Sequence, residues 1–193
     1  MTCSKADSDS ISIAAETLRK GGVAILPTDT VYGFSGIVDC PGKKAFSTDR
    51  RIRDIKGRSE TKPFIQLISS PNEIRRFSDE KIPEGLVKFW PGPLTVIVRL
   101  KTGGSTAFRC PGDQWLRRVI ESCKCPIYST SVNRSGMPVL RSILDIRREF
   151  EDEVDLIVDD GDTRESLPST IVKIEDGRIL TVRQGAVKIE STV

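Results

Sequence analysis

The stretch Gly22-Val-Ala-Ile-Leu-Pro27-Thr-Asp-Thr-Val-Tyr-Gly33 constrains the fold more than any other in this chain. Four consecutive apolar residues after a glycine pair suit a strand buried on both faces, because a strand with one solvated face would alternate. Pro27 removes a ladder donor and stops the strand. Two threonines and an aspartate then make a polar turn closed by Gly33. Small hydroxyls and one carboxylate are thus presented at a strand's carboxyl end, the edge where ligands sit in open α/β sheets. An ordinary strand-to-helix turn, its hydroxyls capping the helix, would use the same residues.

Around that strand, extended and helical patterns alternate without repeats or a linker. Residues 11–20 place Ile11, Ala14, Ala15 and Leu18 on one helical face and end at Gly21-Gly22. Residues 43 to about 55 read as a helix and 64–68 as a short strand. Ser70-Pro71-Asn72-Glu73 matches a capping box with proline at the first helical position. A short helix over 84–90 is halted by Pro91-Gly92-Pro93, and the β-branched run 94–100 reads as a strand. Ser105–Arg109 is a further strand, and Asp113 caps a helix carrying Leu116, Val119 and Ile120. Strands follow at 126–131 and 154–158, with a helix over 142–150 between them. Residues 169–174 and 178–182, joined by Glu175-Asp176-Gly177, form a hairpin. A series of strands and helices that finishes in a hairpin implies an α/β fold: an open, twisted, mixed β-sheet flanked by helices.

At 193 residues the chain fits one domain. The polar residues 1–10 are expected to form a flexible N-terminal tail and residues 11–189 the single domain. With 30% charged and 37% hydrophobic residues, and no apolar run near the ~20 residues of a membrane span, the expectation is a cytoplasmic protein without a membrane segment. The five cysteines form an odd set, and Cys123-Lys-Cys125 is neither a redox pair nor half of a zinc ribbon. There is no histidine, which removes His-based metal sites, Ser-His-Asp triads and Cys-His dyads. No metal site is expected. Any chemistry must rest on orientation and positive charge.

The net charge of +3 is unevenly spread: residues 43–62 carry a net +5 and the remainder −2. A basic patch on a near-neutral chain suits a phosphate-bearing ligand or a nucleic acid. Lys43, Lys44, Arg50 and Arg51 read as an ordinary solvated helix face. Lys56-Gly57-Arg58 is different, because two cations around a glycine can both reach a polyphosphate, the arginine bidentately. It is not a Walker loop.

Taken together, Pro27-Thr-Asp-Thr-Val-Tyr-Gly33, Lys56-Gly-Arg58 with Lys62-Pro63, Trp90-Pro-Gly-Pro-Leu-Thr95, Ser105–Arg109 with Cys110-Pro111, Ser131-Val-Asn133 with Ser135-Gly136, Ser169-Thr-Ile171 and Arg183-Gln-Gly185 resemble the YrdC-like family in order and approximate spacing. The resemblance runs from about residue 11 to 189, and its short-form members lack the extra C-terminal domain of longer ones. It implies a concave ligand cleft and a reaction in which L-threonine, bicarbonate and ATP, with Mg2+, give L-threonylcarbamoyladenylate and pyrophosphate. A transferase complex that modifies tRNA would be the partner, and weak binding of tRNA or double-stranded RNA a further property.

Carried over by motif, the resemblance places Lys56 and Arg58 as catalytic residues on the triphosphate, with Lys62, Ser105, Asn133, Arg141 and Arg183 also on ATP. Thr30, Arg109, Ser131 and Ser169 would surround threonine, Arg109 facing its carboxylate. Val132 stands where the family has alanine, and its bulk is expected to narrow the nucleotide side of the cleft. Trp90 is expected to pack beneath its proline-rich turn. Two other readings stand beside this one: an RNA-binding or ribosome-associated module without catalysis, and a relative adenylating another carbamate.

Overall fold

The computed structural model describes residues 1–40, 42, 44–59, 63–163, 167–175 and 177–189. Its first elements are β1 (Thr2–Ser4), α1 (Ser10–Arg19), β2 (Ala24–Leu26), β3 (Gly33–Ile37) and α2 (Thr48–Lys56). Then come β4 (Ile65–Leu67), α3 (Glu84–Val87), β5 (Leu94–Arg99), β6 (Ser105–Arg109) and α4 (Gln114–Cys123). Last are β7 (Ile127–Ser131), α5 (Ile143–Phe150), β8 (Leu156–Asp159), β9 (Thr170–Glu175) and β10 (Arg178–Arg183). The ten strands make one sheet in the order β1-β8-β2-β3-β7-β4-β6-β5-β9-β10. Strand β8 runs parallel to both β1 and β2, β4 to β6, and β5 to β9, whereas the other neighbours are antiparallel. The mixed α/β sheet is therefore as expected. No helix among the described residues is long and apolar enough to cross a membrane.

The opening apolar run divides its side chains between two cores, as period-2 geometry requires. Ala24 and Leu26 pack with Ala14, Leu18, Leu116 and Val119 of α1 and α4. Val23 and Ile25 point the other way, towards Phe34, Ile52 and Phe150. A third cluster gathers Trp90, Leu94, Val96, Phe108 and Val172. There Trp90 is 7% exposed and donates from its indole to the Leu94 carbonyl at 2.6 Å, the packing role its motif foretold. On the opposite face of that end of the sheet, Ile65, Ala107, Ile97 and Ile171 share one side by register and stay half-buried. That strip adjoins the candidate site.

Several expectations change. Residues 1–10 are not a flexible tail: β1 pairs in register with β8, Cys3 against Val158. A polar sequence can take an edge position because backbone hydrogen bonds hold it, Cys3 alone packs on the core, and Lys5 bridges Asp113 (2.6 Å) and Asp160 (2.8 Å). The Pro27 turn joins two antiparallel strands instead of a strand and a helix, since β3 pairs with both β2 and β7. The following helix begins at Thr48, whose buried hydroxyl donates to the Ile37 carbonyl at 2.7 Å. The Ser70 box becomes a 3-10 helix over Pro71–Arg76, and Glu73 reaches back to the Ser69 amide, with no cap from the Ser70 side chain.

Ile25 is fully buried between these layers. Truncating it leaves a cavity in the central strand, so Ile25→Ala should cost about 2–5 kcal/mol in urea unfolding with an unchanged m value.

Candidate functional site

The turn after β2 is tied by its own hydroxyls. Thr28 Oγ1 donates to the Val31 carbonyl (2.8 Å) and accepts from the Thr30 amide (3.0 Å). With its single proton used, its contact with Thr30 Oγ1 at 3.0 Å is one in which Thr30 donates. Thr30 in turn accepts from Nη1 of Arg109 at 3.0 Å. Arg109 ends β6 and is only 5% exposed; Nη2 pairs with Asp29 Oδ1 and Nε donates to the Gly92 carbonyl. The other oxygen of Asp29 accepts from the Gly112 amide at 2.9 Å. Burial lowers the guanidinium's pKa and the adjacent carboxylate opposes that, so the cation is held by compensation from one turn and two distant loops.

Two further guanidinium groups approach the same place. Gly57 closes α2 in the left-handed region (φ 61°), which turns the chain so that Arg58 leaves the helix axis. Its Nη1 reaches Thr130 Oγ1 (3.4 Å), Nη2 reaches the Pro63 carbonyl (3.1 Å), and the group lies 5.1 Å from the Phe64 ring centre. Arg183, at the end of β10, donates from Nη2 to the Ser169 carbonyl (2.8 Å) and hydroxyl (3.2 Å). Ser169 also shares a hydrogen bond with the buried Thr95 at 2.9 Å. Tyr32 pins the start of β3 to the end of β8: its hydroxyl donates to the Gly161 carbonyl and accepts from the Asp160 amide, both at 2.8 Å. Burial pushes that phenol up to about 12, so it stays protonated. Next to it a Cβ on Gly33 would sit 2.8 Å from Ser129 Oγ, which is why glycine stands there.

These groups surround a cavity of about 210 Å³, with Arg58, Arg109 and Arg183 on its walls, hydroxyls of Thr28, Thr30, Ser129, Thr130, Ser131 and Ser169 between them, and Ile65 and Ile171 as apolar floor. No acidic residue lines it among the described residues. A larger cavity of about 350 Å³ opens at the other end of β3 and β7, lined by Ile37, Phe46 and Cys125 among others, and contains none of the expected site residues. Convergent polar groups, not volume, single out the first.

The family model for Sua5, YciO and YrdC proteins, described as telomere recombination, matches residues 16–185. A relative in Methanocaldococcus jannaschii is 32% identical over 90% of this chain and 84% of its own length. The chain belongs to this family. The threonylcarbamoyl-AMP synthase of Nitrosococcus oceani is 30% identical over 87% of this chain and 93% of its own. The solved structure of Pyrococcus abyssi Sua5 complexed with L-threonine superposes with a TM-score of 0.81 at 29% identity, covering 93% of this chain. The chain spans 55% of that longer protein.

Of the residues that the family motifs nominated, Thr30, Arg58, Arg109, Ser131, Ser169 and Arg183 line the cavity. Lys56 does not, contrary to expectation. It is 2% exposed, and its ammonium donates to the Ser131 carbonyl, the Asn133 carbonyl (2.9 Å) and Asn133 Oδ1 (3.0 Å). Asn133 is absent from the lining too, and its amide nitrogen donates to the Arg134 and Met137 carbonyls in the bend after β7. Ser105 lies exposed at the far end of β6 from Arg109, and Arg141 is exposed and absent from the lining. Lys62 lies outside the described residues. Val132 does not narrow the cavity: it is fully buried with Phe34 and Phe150, since alternation along the strand sends it to the opposite side from Ser131. Within the basic segment, Arg51 pairs with Asp155 and Arg53 donates to the Ser59 carbonyl.

Asp29 was read as the one carboxylate at this strand edge, but its pairing with Arg109, and the bond of Thr95 to Ser169, were not expected. The threonines beside Asp29 drew the functional reading, while its own partner lies at Arg109, far along the chain. A lone acid beside a buried arginine motif is the signal that would have found it. Because Arg109 is only 5% exposed, Asp29→Asn should destabilise the fold by about 3 kcal/mol in urea titration. An unchanged midpoint would show that the pair is not what balances the buried charge.

Proposed function

We propose that this family member is an L-threonylcarbamoyladenylate synthase. The observation that carries the reading is the convergence of three guanidinium groups on a hydroxyl-lined cavity whose lining contains no acid. Such a site favours a ligand with several negative charges, and ATP joined to a carboxylated amino acid is one. Arg109 has five N–H groups, of which Asp29, Thr30 and Gly92 take one each, leaving two for the threonine carboxylate. Thr30, Ser131 and Ser169 supply hydroxyls around the amino acid. Arg58 and Arg183 face the phosphates.

In the reaction, the threonine amine combines with bicarbonate, losing water, to give a carbamate. One carbamate oxygen attacks the α-phosphorus of ATP, and the bond to the bridging oxygen breaks, releasing pyrophosphate. The protein's part is to hold two anions in line and to stabilise charge on the phosphoryl oxygens, which guanidinium groups do without an imidazole. Magnesium enters with ATP as part of the substrate, and no carboxylate among the described residues lines the cavity to hold it. The enclosed volume suits the amino acid and reacting phosphates, and the half-buried strip of Ile65, Ala107 and Ile97 lies beside it for the nucleoside. The relatives named threonylcarbamoyl-AMP synthase, and the relative solved with L-threonine, support the same substrate. A cytoplasmic setting and a transferase that carries the threonylcarbamoyl group to tRNA complete the proposal.

Incubating the protein with ATP, Mg2+, bicarbonate and single amino acids should release pyrophosphate with threonine. Arg58→Ala should abolish that release while circular dichroism stays native; undiminished release from the folded variant refutes its role. Arg109→Ala should weaken threonine by roughly 10–100-fold and ATP far less by calorimetry, the loss expected of a charge-assisted pair. The opposite order would assign Arg109 to the nucleotide.

A further inference from the structure

Lys56 and Arg58 are two residues apart, yet their side chains diverge. We infer that Lys56 is a positioning residue and not a phosphate ligand: its ammonium locks the bend at Ser131–Asn133 against the end of α2, and so fixes one wall of the cavity.

The first ground is donor counting. An ammonium has three N–H groups, and the Ser131 carbonyl, the Asn133 carbonyl and Asn133 Oδ1 accept all three. A phosphate oxygen would have to displace a buried carbonyl and leave it unsatisfied. The second ground is position. Lys56 is 2% exposed, absent from the cavity lining, and its Nζ lies 5.2 Å from the Phe34 ring centre. Burial, with Arg58 nearby, lowers its pKa to about 7.

The third ground is the company it keeps. The same bend is sewn to the same helix end by two more bonds: the Ser135 amide donates to the Lys56 carbonyl (2.7 Å), and Arg134 Nη1 donates to the Ile55 carbonyl (2.5 Å). These satisfy carbonyls that a helix terminus leaves open. Farther along, the Leu140 amide returns to the Val132 carbonyl at 2.9 Å. Lys56 is thus the inner stitch of a seam joining α2, β7 and the segment before α5. Arg58, turned outward by Gly57, leans on Thr130, the residue before Ser131. Holding that strand end holds both Ser131 and Arg58.

The activity arm of the test rests on the synthase reading, whereas the exchange arm does not. Hydrogen exchange without ligand, followed at the Ser135 and Leu140 amides, compares wild type with Lys56→Met, Lys56→Arg, Asn133→Ala and Arg58→Ala. Lys56→Met and Asn133→Ala should each speed exchange by roughly tenfold or more, and Arg58→Ala should leave it within about twofold. Asn133→Ala keeps the lysine and carries the test if Lys56→Met fails to fold. In turnover, Lys56→Arg should not rescue, because a longer planar cation does not fit a closed triad of acceptors. Unchanged exchange in both Lys56→Met and Asn133→Ala, or full rescue of the ATP KM by Lys56→Arg, would overturn the inference. If the wild type releases no pyrophosphate, the synthase reading fails, and the exchange arm alone decides the role of Lys56.

Discussion

A guanidinium buried to 5% exposure is the constraint on which the site depends. Removing such a charge from water costs several kcal/mol even after relaxation, and Arg109 survives there because two segments converge on it. Asp29 and Thr30 come from the turn after β2, and Gly92 from the proline-rich turn before β5. The pair with Asp29 need not add net stability, since an apolar pair of similar volume could fill the same space. What an apolar pair could not do is leave two N–H groups in a fixed plane at the cavity wall. The same contacts that neutralise the buried cation aim it, and they tie loops that are far apart in sequence into one rigid frame.

The choice of cation follows from the same physics. Burial brings Lys56 down to about 7, the edge of neutrality, because an ammonium begins near 10.4 and is strongly hydrated. Arg58, Arg109 and Arg183 are also lowered by burial, but they start from above 12 and remain charged. A partly dry pocket that must stay cationic is therefore built from arginine. Lysine is put where its three donors are closed off by carbonyls. Charge at the cavity wall and rigidity behind it are supplied by different side chains of a single tripeptide.

How far the sequence discloses this depends on whether the information is local. The β-branched run of β5, the Asp113 cap on α4 (accepting from the Leu116 amide at 2.8 Å) and the terminal hairpin announce themselves because propensity and turn chemistry act within a few residues. Strand β3 does not, as Gly-Phe-Ser-Gly-Ile has two glycines and takes its extended form from β2 and β7 on either side. Strand β1 is hidden for the same reason, a polar edge made by a partner more than a hundred residues away. At the site, motifs place Arg58, Arg109 and Arg183 on the cavity, but they do not disclose direction. Whether a side chain meets ligand or backbone is settled by a left-handed glycine for Lys56 and by strand alternation for Val132.

The β2–β3 turn shows why the location of the site was legible although the reason was not. In open α/β sheets the carboxyl end of a strand receives ligands because a helix follows, and its N-terminus offers free amides and a positive dipole. Here another strand follows, so that dipole is missing from the turn. Its place is taken by side chains: hydroxyls of Thr28 and Thr30 order the turn, and guanidinium groups carried in on β6, β10 and the end of α2 provide the positive charge. A dipole would be fixed in strength and buried in the backbone, whereas three arginines on three elements can each hold a different oxygen of a large anion. A site of that kind needs a sheet broad enough to bring distant strand ends together, which the ten-stranded mixed order, with β9 and β6 both beside β5, achieves.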